Sequence, residues 1–147
     1  MNSSGLVSAW IEEANSDFRA AKLLMEADFH CQAVFLSQQA FAKALKSLLL
    51  KYQVPEGTGR HPSILFGELL KKPEGNPLRP FEKQLLRLLN AYRNLEKEAG
   101  ASRFPKETGE KIFVPKHEFK KIHSVRAITY SREIIGLCEK ILGNPVT

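Results

Sequence analysis

Phe29-His-Cys-Gln-Ala-Val-Phe-Leu-Ser-Gln-Gln-Ala-Phe-Ala-Lys-Ala-Leu-Lys-Ser-Leu-Leu-Leu-Lys-Tyr52 contains no glycine and no proline. Val34, Gln38, Phe41, Leu45, Leu48 and Tyr52 recur at steps of three and four, the spacing of one helix face. Phe35, Leu36, Leu49 and Leu50 widen that face, so the helix belongs at the centre of the fold with neighbours on more than one side. A polar line of Gln39, Lys43 and Lys46 is stacked along the same helix, either as its solvated edge or as part of a site.

Upstream, Ser8 is a plausible N-cap for a first helix with Glu12 and Glu13 near its positive end. Trp10, Ala14, Asp17, Ala21 and Leu24 form its buried stripe, which therefore carries a carboxylate in its middle. A carboxylate on a packed face requires a partner, and the pattern offers Lys43 and Gln39; the alternative is a seam-edge position with its oxygens in water. Downstream, Pro55, Gly57 and Gly59 end the central helix, and a short helix follows over 62–71 before a proline-rich interruption. Phe81, Leu85, Leu88, Tyr92, Leu95 and Ala99 then mark a fourth helix, with Gly100 as its stop. Residues 101–115 read as a long loop with a brief extended piece at 112–114. A last helix over 116–142 is apolar on several faces, so it either lies deep in the bundle or is covered by a second copy of the chain.

The expected fold is all-α: one domain over 1–147, an up-and-down four-helix bundle with an additional short helix, forming a homodimer. The helices are placed at about 8–27, 29–54, 62–71, 80–99 and 116–142. At 147 residues, 43% hydrophobic and 26% charged, the chain is long enough for a core and has the composition of a globular protein. No apolar run is long enough for a membrane span and no signal-peptide layout begins the chain, so a cytoplasmic location and no membrane partner are expected. Cys31 and Cys138, far apart in sequence, are read as packed thiols. The 22 basic residues exceed the 16 acidic ones to give +6, which permits a polyanionic partner and is equally met by surface charge that serves solubility.

Familiar catalytic patterns fail on spacing. His117-Glu118 is followed by His123, too far on for two imidazoles to share a helix face around zinc. Gly57-Thr58-Gly59-Arg60 lacks the lysine and spacing of a P-loop and reads as a helix-ending turn. No nucleophile elbow or metal-ligand set emerges, and no cofactor is expected beyond a nucleotide ligand. The remaining polar residues are Asp17, Gln39, Lys43, Lys46, His61, Arg103, His123 and Arg126. Each has an ordinary structural reading; together they would line one positive groove suited to phosphate.

The order of these features resembles the HEPN domain family. It rests on Trp10, Ala14 and Asp17, on Phe35 with Gln38-Gln39-Ala40 and Lys43-Ala44-Leu45-Lys46, on His61 with Leu65 to Leu70, and on Ser102-Arg103-Phe104-Pro105, similar to the family's Arg-Tyr-Pro. Ala42 stands where the family usually has Glu, Tyr92 and Arg103 are more widely separated than usual, and the Arg-x4-6-His motif of the ribonuclease members is absent.

The resemblance implies a helical fold and a symmetric dimer. It also implies a non-catalytic module that binds a nucleotide, RNA or a minimal nucleotidyltransferase partner, with Lys43, Lys46, Arg103, His123 and Arg126 on phosphates, Gln39 on a base or sugar, and Asp17 orienting Lys43. Two alternatives remain: an endoribonuclease acting as a toxin in a toxin-antitoxin-like pair, and a purely structural dimerisation or scaffolding module.

Overall fold

The computed structural model describes residues 3–54 and 61–143, so the helix-ending turn expected at Gly57 to Arg60 lies outside the described residues. Among the described residues six helices appear in order: α1 Ser3–Glu26, α2 His30–Lys51, α3 Pro62–Leu70, α4 Glu82–Ala101, the single turn α5 Pro115–Glu118, and α6 Lys121–Ile141. A 3₁₀ segment, Pro73–Phe81, joins α3 to α4, and an antiparallel hairpin of β1 Lys106–Thr108 and β2 Lys111–Phe113 precedes α5. The fold is the expected all-α bundle.

The differences from the expected boundaries have local causes. Helix α1 begins by Ser3, ahead of Ser8, which therefore lies inside the helix and is not its cap. Gly100 does not end α4, which continues to Ala101 and closes on Ser102, whose Oγ donates to the Ala99 carbonyl at 2.7 Å. The loop after α4 is tightened into the hairpin by Gly109 at φ 63, a left-handed position that glycine occupies without strain. The expected last helix is divided, because Phe119 and Lys120 are extended between α5 and α6.

Helix α2 is the shared partner. One side of it carries Ala33, Ser37, Ala40, Ala44 and Ser47, all fully buried. Short side chains at steps of four and three let another helix approach closely, and that helix is α6. His30 Nδ1 and Ser124 Oγ are 2.8 Å apart, Ser131 Oγ donates to the Ser37 carbonyl at 2.6 Å, and the Cys138 thiol lies 3.4 Å from the Ala44 carbonyl. Each of these pairs is 94 residues apart in sequence, so α2 and α6 run parallel in one constant register. Helices α1 and α4 run antiparallel to them, as the pairs Asp17–Lys43 and Trp10–Lys46, and Arg87–Glu133 and Glu98–Arg126, require.

The core is built from Phe41, Leu45, Leu48, Phe66, Leu78, Leu85, Leu88, Leu89 and Ile134, each below 2% exposed. The apolar surplus of α6 is largely absorbed here, since Ile128, Ile134, Ile135 and Leu137 are buried within the chain; Ile122 and Val125 remain exposed. Both cysteines are free and buried. No helix among the described residues is long and apolar enough to cross a membrane.

Candidate functional site

The eight polar residues expected to form one groove occupy five surroundings. Lys43 Nζ lies 2.8 Å from Asp17 Oδ2 and 3.7 Å from Glu13 Oε2, in the seam between α1 and α2. The hydrogen bond to Asp17 raises the Lys43 pKa, and the charges of Asp17 and Glu13 add to this against the opposing effect of burial. One turn further along, Lys46 Nζ sits 5.1 Å from the centre of the Trp10 ring, within cation–π range. These three polar residues and Trp10 therefore couple α1 to α2.

Gln39 points the other way. Its amide donates to Gln38 Oε1 at 2.8 Å, and Gln38 Nε2 donates to the Tyr92 hydroxyl at 3.0 Å. The Tyr92 ring stacks on Phe41 with centroids 4.6 Å apart. Burial and the negative charge of Glu96 push the Tyr92 hydroxyl up to about 12, against a lowering by the Gln38 bond.

Beside Tyr92, His61 caps α3. Its Nδ1 accepts the Ser63 backbone N–H at 3.1 Å and lies 2.9 Å from Ser63 Oγ, which leaves the proton on Nε2, directed at Glu96 Oε1 at 2.8 Å. Arg93 also reaches Ser63 Oγ, at 2.7 Å. His123 has a capping role as well: its Nδ1 accepts the Lys120 backbone N–H at 2.9 Å, with the ring tilted against Phe119.

Arg126 bonds Glu98 at 2.6 Å within a groove of about 420 Å³ between α4 and α6, lined also by Asn94, Lys97 and Tyr130. Arg103 stands in another cleft, of about 640 Å³, with its guanidinium 5.0 Å from the Phe35 and Phe104 ring centres. Neither lining includes a second member of the eight. Among the described residues no group of His, Cys, Asp and Glu gathers around a metal position.

Residues 7–141 match the family model of the HEPN domain. The chain belongs to the HEPN domain family. It is similar to an archaeal HEPN homologue of known structure at 25% identity, covering 91% of this chain and 95% of that one with a TM-score of 0.62. A protein from Thermus thermophilus shares the fold at 21% identity, with 92% and 97% covered and a TM-score of 0.67. An HEPN domain protein from Thermotoga maritima does so at 24% identity, with 93% and 99% covered and a TM-score of 0.60. Among curated proteins none matches the chain significantly.

Within this HEPN chain the outer face of α4, opposite its apolar stripe, is regular. Lys83, Arg87, Asn90, Asn94 and Lys97 step by four, three, four and three, and all are exposed. The stripe holds no carboxylate and spans about 21 Å at roughly 1.5 Å per residue. Arg87 is bonded to Glu133 of α6, whereas Lys83 and Lys97 have no ion pair among the described residues. The signal was present as the polar complement of the apolar stripe.

Proposed function

We propose that this HEPN chain is a non-catalytic module that binds nucleic acid along the outer face of α4 and the groove α4 makes with α6. The α4 stripe carries the proposal: three cations flank two amides on one exposed face, at the edge of a groove holding Arg126 and Tyr130. Lysine and arginine neutralise phosphates, and asparagine amides hydrogen-bond phosphate and sugar oxygens without specifying sequence. The net charge of +6 favours the same class of partner.

Fluorescence anisotropy of a labelled single-stranded RNA at several salt concentrations tests the proposal. Neutralising three to four phosphates gives a slope of log K against log salt of about −2 to −3. Lys83→Glu combined with Lys97→Glu makes binding weaker and the slope shallower. Absence of binding, or affinity indifferent to both salt and these substitutions, rules it out.

The endoribonuclease reading draws on the meeting of His61 and Arg93 at Ser63 Oγ, which brings the two required residue types together. It stands second because both His61 ring nitrogens already have partners within the chain. RNA recovered intact from the binding assay goes against it, and cleavage abolished by His61→Ala would establish it.

Self-association is favoured by Ile122 and Val125, 67% and 42% exposed and one turn apart on α6. Light scattering on wild type and on Ile122→Lys with Val125→Lys tests it; a monomeric wild type removes it.

A further inference from the structure

The 640 Å³ cleft lies away from the α4 face and differs from it chemically. Leu24 and Leu36 from the α1–α2 corner face Val114 and Pro105 from the segment around the hairpin, and the Phe35 and Phe104 rings flank Arg103. This volume and apolar lining suit a small organic molecule. The polar atoms are few and partly committed: Ser102 Oγ donates to the Ala99 carbonyl, and Gln32 Oε1 accepts from the Cys31 thiol.

Two cations, Arg103 and Lys116, belong to the lining. Both are exposed, and neither has a carboxylate partner among the described residues. Lys43, Arg87 and Arg126, by contrast, are each paired with an acidic side chain. Cation–π contact with the two rings, at 5.0 Å each, draws the Arg103 guanidinium to the cleft, and with no carboxylate partner its N–H groups are available to an oxyanion.

We propose that this cleft binds a small amphiphilic organic anion, its apolar body against Leu36, Val114 and the two phenylalanines and its carboxylate on Arg103, with Lys116 as the second cation. The charge of the pair selects an anion, and the apolar lining selects against a nucleotide, whose base and sugar would bury hydrogen-bonding groups with few partners. The proposal is independent of the α4 surface.

Isothermal titration of the full chain with octanoate, octan-1-ol, octyltrimethylammonium and AMP tests it. Octanoate binds with one-to-one saturation, octan-1-ol at least tenfold more weakly, and the cation and AMP without measurable heat. Arg103→Ala weakens octanoate at least tenfold while changing octan-1-ol less than threefold. Leu36→Trp, which fills the cleft, removes both, with helix content by circular dichroism confirming a folded chain. No octanoate binding, equal binding of octanoate and octan-1-ol, AMP binding as tight as octanoate, or octanoate affinity unchanged in both variants would overturn the proposal.

Discussion

Ser131 of α6 donates its hydroxyl to the backbone carbonyl of Ser37 on α2 at 2.6 Å, and both residues are fully buried. Parallel helices this close leave no room for larger side chains. Ser131→Leu is expected to lower stability by about 1–3 kcal/mol through overpacking, and Ser131→Ala by about 1 kcal/mol for the lost hydrogen bond. Denaturant midpoints at constant m-value measure both; a neutral leucine variant would show that the seam is loosely packed.

The Asp17–Lys43 pair is partly buried, with side chains 19% and 25% exposed, whereas Glu13 is 65% exposed. Asp17→Asn therefore costs about 1.5–3 kcal/mol, the range for hydrogen bonds to charged groups. Glu13→Gln stays within about 0.5 kcal/mol, as for exposed positions generally. Equal effects from urea unfolding would mean that the two carboxylates share Lys43 evenly.

Tyr92 titrates near 12 in the folded chain and near 10 when unfolded. Above pH 10 the unfolded chain releases this proton first, so the native state binds more protons and stability falls as pH rises towards 12. The full loss from this group is about 2–3 kcal/mol. Lys43, raised above 10.5, acts in the same direction: its contribution is present below that pH and is lost as pH rises through its folded value. Tyr92→Phe isolates the tyrosine component by flattening the decline in chemical stability between pH 10 and 12. An unaltered alkaline profile contradicts the assignment.

Glycines in this chain diverge in what they tolerate. A Cβ on Gly75 would lie 2.1 Å from the Leu69 carbonyl oxygen, whereas one on Gly136 in α6 meets nothing within 4 Å. Gly75→Ala is expected to destabilise by at least about 1–3 kcal/mol, and Gly136→Ala to stabilise by about 0.5–1 kcal/mol through helix propensity. Thermal melts of the two variants should shift in opposite directions.

The bundle was legible because α2 and α4 carry long, uninterrupted apolar periods, and the family because its residues follow one another in order along α1, α2, α3 and the segment after α4. Much of that signature serves packing: Trp10, Asp17, Lys43 and Lys46 couple α1 to α2. The separation of the eight polar residues was not legible, since periodicity places residues on a helix face but does not say which neighbour that face meets. Arg126 found Glu98, and His123 turned to cap its own helix. Lys116, the expected first residue of the last helix, was not read as a partner of Arg103, because the two come from separate short segments around the hairpin that share no period.

The hairpin buries little. Every residue of β1 is exposed, and in β2 only Phe113 is even partly covered. A two-stranded ribbon is marginal by itself, so it opens at a free-energy cost well below that of global unfolding. Amide hydrogens within residues 106–113 should therefore exchange with solvent long before those of α2. The segment that joins α4 to α5 can thus loosen and re-form while the helical core stays intact.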